Sequence, residues 1–426
     1  MSNLIPEKWK YVSLQEIAKN YRGSIVDGPF GSNLKTSDYV KSGVPVLQGK
    51  NITNNVFVWS DVRFISKHKA DELSRSSIRV GDILMVKIGS IGYSAIVDNL
   101  KNYKYAIIPA NLLKISLDDK KASTKYIHQY LISPQGKKRI LNIASATAQP
   151  ALSLSAIKKF KIPIPPIIEQ KKIASILSSV DDVIEKIQLQ INKHQDLKKG
   201  TMNELLTRGI GHIEFKDSEL GKIPKGWEIS DLKSLVVSHN SGIYKKKSEY
   251  GNGYNILGVS DLYSCHIVDG QIFRKVPLTD EEVLEFSLKK GDLVYGESSL
   301  VREGIAKTVC VSENGEGTIF AWHTRRFSVS DNMDSIFLNY FLSSNISRTY
   351  LTKVATQTAL TGITTKDYFG VKVVIPSFKE QQQIVTILSS IDNHIEKKQR
   401  KLQKNQYLKK SLMQDLLTGK VRVSVN

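Results

Sequence analysis

Cysteine is nearly missing from this chain. Cys265 and Cys310 are the only two. They lie far apart, outside any cysteine–histidine pattern at metal-ligand spacing, which argues against a zinc site and against a disulfide framework and leaves two ordinary thiols. The eight histidines never cluster, so no metal ion is expected. Long apolar runs are missing as well: none approaches a membrane span, and the opening Met-Ser-Asn-Leu-Ile-Pro-Glu-Lys carries no apolar leader core. A cytoplasmic protein is expected. No G-x-x-x-x-G-K-[ST] phosphate loop exists, so ATP-driven work is not expected here. The Asn/Asp-Pro-Pro-aromatic motif of amino-group methylation is absent too. Its nearest approach, Ile164-Pro165-Pro166-Ile167, has neither the acceptor nor the stacking ring and reads as a linker. Asp280-Glu281-Glu282 beside Glu285 reads as a solvated helix start near a favourable dipole, not as a catalytic cluster. No catalytic, cofactor-binding or metal-binding residue is therefore assigned, and the chain is read as non-enzymatic.

What the chain does have is positive charge, a net +20 over 426 residues. An excess of this size points to a polyanion such as nucleic acid. It is unevenly placed: residues 1–168 hold 25 Lys and Arg against 11 Asp and Glu, whereas residues 208–379 hold 21 against 20. The first segment is thus the electrostatic anchor.

The second positive feature is a repeat. Glu169 to Thr207 returns with few changes as Glu380 to Thr418, at a constant offset of 211 and without a gap. A period this long means duplication of a whole domain-sized unit, not a solenoid. Within the first copy, Ile173, Leu177, Val180, Ile184, Ile187 and Ile191 step by four and three alternately, which is the seam of a coiled coil. The second copy keeps Ile384, Leu388, Ile391, Ile395 and Leu402 on that seam and adds Lys398 and Asn405, with His194 opposite Asn405 in the alignment. Two paired helices are expected, each roughly 55–60 Å long. Gly209 and Gly211, just beyond the first, are expected to act as flexible joints.

The segments before each helix repeat more faintly. Ile5-Pro6-Glu7-Lys8-Trp9 corresponds to Ile223-Pro224-Lys225-Gly226-Trp227, Val44 to Ile52 corresponds to Tyr254 to Leu262, and Gly81-Asp82 corresponds to Gly291-Asp292, a tight turn before a strand. The predicted fold class is α+β: two mixed, strand-rich domains separated by two long antiparallel coiled-coil helices, with an internal pseudo-twofold repeat. The boundaries are 1–168 for the first domain, 169–210 for the central helix, 211–379 for the second domain and 380–426 for the C-terminal helix and tail.

These residues carry a resemblance. The paired Pro-x-x-Trp openings, the Pro-Phe-Gly-Ser loop at Pro29 to Ser32, the Gly-Asp-Ile-Leu turn at Gly81, the Ile-Pro-x-Pro and Ile-Pro-Ser exits and the Glu-Gln-led helices resemble the specificity subunit of a type I restriction-modification system, over essentially the full length. The resemblance implies two target recognition domains, each reading one half of an asymmetric bipartite site on double-stranded DNA. It also implies that the helices set the spacing and dock two methylation (modification) subunits and, through them, restriction and translocase subunits. S-adenosylmethionine, ATP and Mg are then expected on those partners and no cofactor on this chain. The second copy departs from the pattern, with Gly242-Ile243-Tyr244-Lys245-Lys246-Lys247 in place of Pro-Phe-Gly-Ser. The alternative reading is a coiled-coil scaffold whose globular units bind protein or RNA.

Loop-borne polar residues are the DNA-contact candidates: Lys35, Lys41, Lys87, Ser90, Tyr93, Asn111 and Gln149 in the first copy, and Lys245, Lys246, Lys247, Arg302, His323, Arg325 and Gln357 in the second. Lysines at Lys35 and Lys41 suit phosphates, whereas an amide such as Asn111 suits a base edge.

Overall fold

The computed structural model describes residues 6–29, 33–145, 150–357 and 360–424. It divides into two compact units. Unit 1 takes Met1–Leu189 together with Gln399–Asn426, and unit 2 takes Gln190–Lys398, so the division falls inside both long helices.

The first long helix spans Ile167–Arg208 and the second Phe378–Leu416, 42 and 39 residues, or about 63 Å and 58 Å at 1.5 Å per residue. In unit 1, Ile173 and Leu177 near the start of the first helix share one core with Met413, Leu416 and Leu417 at the end of the second. In unit 2, Leu206 near the end of the first helix shares a core with Ile384 and Leu388 near the start of the second. Start meets end in both cores, so the helices pair antiparallel. Every seam residue named from the sequence is buried or half-buried, whereas Val183, Leu189 and Leu197 off the seam are exposed. The duplication repeats its ion pairs crosswise: Lys409 lies 2.5 Å from Asp181 in unit 1, and Lys198 lies 2.6 Å from Asp392 in unit 2. The same aspartates accept hydrogen bonds from Gln129 and Tyr340, which also stand 211 apart.

Each globular part is closed by its first and last strands. Lys10–Ser13 pairs antiparallel with Lys161–Ile164, and Glu228–Asp231 with Lys372–Ile375. Prolines end both exit strands, since they cannot supply the next ladder N–H. The helices follow at once, and their second charged-polar pair explains the Glu-Gln motif. Gln170 is fully buried: its Nε2 donates to Pro165 O, and its Oε1 accepts from the Ser123 N–H that begins the helix Thr124–Ile132. Gln381 repeats both bonds with Pro376 and Asp334. The carboxylates diverge. Glu169 receives both forks of Arg422, at 2.7 and 2.9 Å; Glu380 receives Trp227 Nε1 at 3.0 Å and lies 2.8 Å from His212 Nε2.

Gly209 corrects an expectation. It is the left-handed residue that ends the first helix, and a Cβ there would meet Glu380 Oε1 at 2.5 Å and the Trp227 ring at 2.7 Å, so it is a packed cap and not a flexible joint. Gly419, also left-handed, sits the same way on Pro6 in unit 1. Gly211, unlike Gly209, has open space around it.

The central sheet of unit 1 runs Ser94–Ile96, Ile83–Val86, Leu112–Ile115, Ile25–Asp27, all antiparallel. Its counterpart in unit 2 runs Val236–Ser241, Thr324–Val329, Leu293–Gly296, Thr308–Val311, Ile267–Val268, the last pair parallel. Ahead of the strand Ile83–Val86, Gly81 is left-handed and the Asp82 carboxylate accepts the Arg79 N–H; Gly291 and Asp292 repeat this with Lys289.

Candidate nucleic-acid interface

The registers decide where the loops gather. In unit 1, Asp27 faces Leu113 and Val86 faces Leu112, so the segments after Asp27 and Val86 and before Leu112 leave the sheet at one edge. A fourth joins them, because Ala151 bridges Ile88 and Leu152 N–H donates to Lys87 O. In unit 2, Ser241, Gly296 and Thr324 mark the same edge, and Ile363 N–H donates to Glu297 O there. Gly28 and Gly242 hold the edges in shape: a Cβ would fall 2.1 Å from Pro109 O in the first and 2.1 Å from Ala321 O in the second. The backbone is thus retained at Gly242 although the residues after it differ from the Pro-Phe-Gly-Ser loop, whose Phe30 to Ser32 lie outside the described residues.

Ser90 and Tyr93 are exposed on the unit 1 edge, with the Lys137 ammonium 4.4 Å from the centre of the Tyr93 ring. Asn111 is half-buried beside Gly49, its carbonyl accepting the Lys87 N–H. Lys35 is exposed on the segment leading away from this edge. In unit 2, Lys246, Lys247 and His323 are exposed, and His323 holds φ +64°, a conformation that a side chain other than glycine adopts only when its surroundings enforce it. Gln149 lies outside the described residues. Gln357 is placed only as backbone, in the strand Thr356–Gln357.

Four candidates do not project freely, and Lys41 lies away from the edge. Lys87 Nζ lies 2.7 Å from Asp27, both side chains mostly buried. Lys245 lies 2.7 Å from Glu282, the residue read from the sequence as solvated. Arg302 Nε donates to Thr352 O. Arg325 belongs to a strand, and its guanidinium is held by Glu297 and Ser241. Each partner is remote in sequence, so loop position and charge do not reveal it. Lys41 is exposed in the turn where Tyr39 and Val44 both face Ile65, the opposite end of the strand Val44–Val46 from Gln48 and the edge.

Lys87 and Glu297 occupy the same place, each just past the end of the equivalent central strand, yet they carry opposite charge and pair differently: Lys87 reaches Asp27 two strands over, Glu297 pairs with Arg325 on the adjacent strand, and Ser241 stands in the place of Asp27. The unit 2 edge also carries exposed aromatics that the sequence reading passed over. Tyr244 and Trp322 are 61% and 49% exposed with ring centres 5.1 Å apart, and Trp322 stacks on His323 at 4.0 Å. Leu300 and Val301 stand out nearby, on the segment that follows Gly296 at this edge. The signal available in advance was aromatics interleaved with basic loop residues, a composition suited to contact with bases. Among the described residues no group of three or more His, Cys, Asp and Glu side chains is placed to hold a metal, and no helix is long and apolar enough to cross a membrane.

Comparison with known proteins gives a consistent answer. The family model for the type I restriction modification DNA specificity domain matches twice, over residues 6–194 and 224–404. The MjaVIII type I restriction enzyme specificity subunit of Methanocaldococcus jannaschii is 30% identical across 98% of this chain and 94% of its own. A putative second specificity subunit of that organism, MjaX, is 27% identical across 98% and 95%. In fold, the chain is similar to the crystal structure of a type I restriction-modification S subunit from M. genitalium, with a TM-score of 0.58 over 100% of this chain and 98% of that one at 14% identity.

Proposed function

Because the chain belongs to the type I restriction-modification DNA specificity family and carries its domain twice, we propose that it confers sequence specificity on a type I restriction-modification complex, each edge reading one half of a bipartite DNA site. The observation that carries this reading is the repeated edge, with the same backbone in both units and different side chains on it. Copied frames meet two half-sites, and divergent edges make the site asymmetric. Nothing favours the scaffold reading.

The finer parts of the proposal rest on the helices. Leu197 and Leu408 are equivalent positions, 54% and 49% exposed, and two like patches suit two identical modification subunits. Those subunits carry S-adenosylmethionine; restriction subunits, with ATP and Mg, join through them. This chain itself does no chemistry, and the complex works in the cytoplasm. The helices act as the ruler between half-sites.

Methylation-site mapping of the assembled complex tests all of this. Asn111→Ala is expected to relax one half-site and His323→Ala the other, each by about 1–3 kcal/mol of discrimination, the worth of a good base contact. Four residues inserted within Leu205 to Arg208 add about 6 Å of helix, nearly two base-pair steps, and are expected to lengthen the spacer and leave both half-sites unchanged. If Asn111→Ala disturbs both halves equally, the one-unit, one-half-site assignment fails. An active insertion mutant with an unaltered spacer removes the ruler.

A further inference from the structure

At the end of the unit 1 sheet opposite the recognition edge, where Ile115 faces both Ile25 and Ile83, there is a concavity of about 670 Å³ walled by Lys19, Arg22, Arg75, Arg79 and Lys114. Lys114 is only 3% exposed. Its Nζ donates to Ser77 O at 2.7 Å and lies 5.5 Å from the centre of the Tyr21 ring, and among the described residues no carboxylate lies within 4 Å of it. The other four cations likewise form no ion pair among the described residues. Asp82, the one acid on the wall, uses its carboxylate to accept the Arg79 N–H. Burying an ammonium without a counter-charge is costly, and an anion entering this basin offsets that cost.

Unit 2 supplies the control. Arg326 stands where Lys114 does, facing Val294 as Lys114 faces Leu84, and it donates to Ser287 O as Lys114 donates to Ser77 O. Asp292, the counterpart of Asp82, accepts the Lys289 N–H as Asp82 accepts that of Arg79, and lies 3.9 Å from Arg326; what unit 2 adds is Glu313, paired with Lys290, and Glu285 in the place of Arg75. The duplication kept the buried cation and its carbonyl. Only unit 1 surrounds it with uncompensated charge.

We propose that this basin binds backbone phosphates of duplex DNA flanking the bases read at the edge. The inference rests on unit 1 being a DNA-recognition domain. Cations drawn from three separate segments line a space far larger than one phosphate, which suits successive phosphates of a polyanion, and guanidinium forks match phosphate oxygens in pairs. Strands of four residues put the basin about 13 Å, plus loops, from the edge, so the segment it holds is reached by curving the duplex around the domain.

The test uses the assembled methylation complex, a short duplex ending at the recognition site and a long duplex with flanks. The unaltered complex is expected to show a steeper fall of affinity with salt on the long duplex. Replacing two of the three exposed guanidiniums, Arg22→Glu with Arg75→Glu, is expected to reduce that slope by about two, one per lost phosphate contact, with the short duplex and the methylated sequence unchanged. Lys114→Met provides a second variant acting at the buried cation, and is expected to lower the long-duplex slope alone. Unchanged slopes in both variants, or equal losses on both duplexes, overturn the basin while leaving the proposed function standing. A complex with no salt-dependent duplex affinity overturns both.

Discussion

Unit 1 and unit 2 share their frame to the level of single hydrogen bonds and differ most in the side chains at their sheet edges. Gln170 and Gln381 make the same buried bonds, and Asp181 and Asp392 accept the same kind of lysine. The carboxylates next to those glutamines have already parted: Glu380 takes the indole N–H of Trp227, whereas Glu169 takes Arg422 and leaves Trp9 Nε1 without a partner among the described residues. At the edges the side chains diverge further, down to the charge at the Lys87 and Glu297 position. Positions inside the shared frame stay fixed, whereas positions on the edges drift.

The largest effect is expected where the copies are most alike. Leu177→Ala and Leu388→Ala each remove a fully buried seam side chain from a core shared by both helices. Each is expected to cost about 2–5 kcal/mol, the range for large-to-small core changes. Urea unfolding of the two variants should give matching losses, and a loss confined to one of them would break the equivalence of the two cores.

A smaller effect tests the ion pairs at the two edges. Glu297→Ala strands Arg325 and Lys87→Ala strands Asp27, groups only 13–20% exposed, at an expected cost of about 1–3 kcal/mol each. Reversing the unit 2 pair, Glu297→Lys with Arg325→Glu, should recover most of the loss. Failure of the double variant to outperform Glu297→Ala in thermal unfolding would mean that polarity is not interchangeable at this place.

The smallest effect concerns acid. Burial pushes the imidazole of His128 below the ordinary histidine range and that of His266 well below it, where Lys198 and Lys307 add like charge. Both folded states favour neutral rings, while the unfolded chain takes up protons near pH 6.5. Stability is therefore complete above about pH 6.5 and declines as pH falls from there towards the folded values. Unit 2 is expected to decline more, and His266→Gln to flatten the dependence. A pH-melting series in which this variant tracks the unaltered chain would dismiss His266 as the source.

The seam and the turns at Gly81 and Gly291 were legible because each depends on residues close together in the chain, and the repeat because it is visible by direct comparison of two segments. Lys87, Lys245, Arg302 and Arg325 were not: their partners lie 60, 37, 50 and 28 residues away, and pairing at such separations is set by strand register. Gly209 was misjudged for the same reason, since the groups that crowd it come from Trp227 and Glu380. The edge was partly visible, because polar loop residues were chosen and most of them lie on it. Trp322 and Tyr244 were passed over because the candidates were chosen for polarity, and an aromatic's exposure is set by packing the sequence does not show.

The division of both long helices between the units also bears on synthesis. Unit 2 is one continuous stretch, Gln190–Lys398, whereas unit 1 needs Gln399–Asn426 to complete a core begun by Met1–Leu189. A chain emerging from the ribosome can therefore finish its second half before its first. Until the last segment arrives, Ile173 and Leu177 wait without Met413, Leu416 and Leu417. Domains usually mature in the order they are made; in this chain the core of the first domain is complete only with the last residues made.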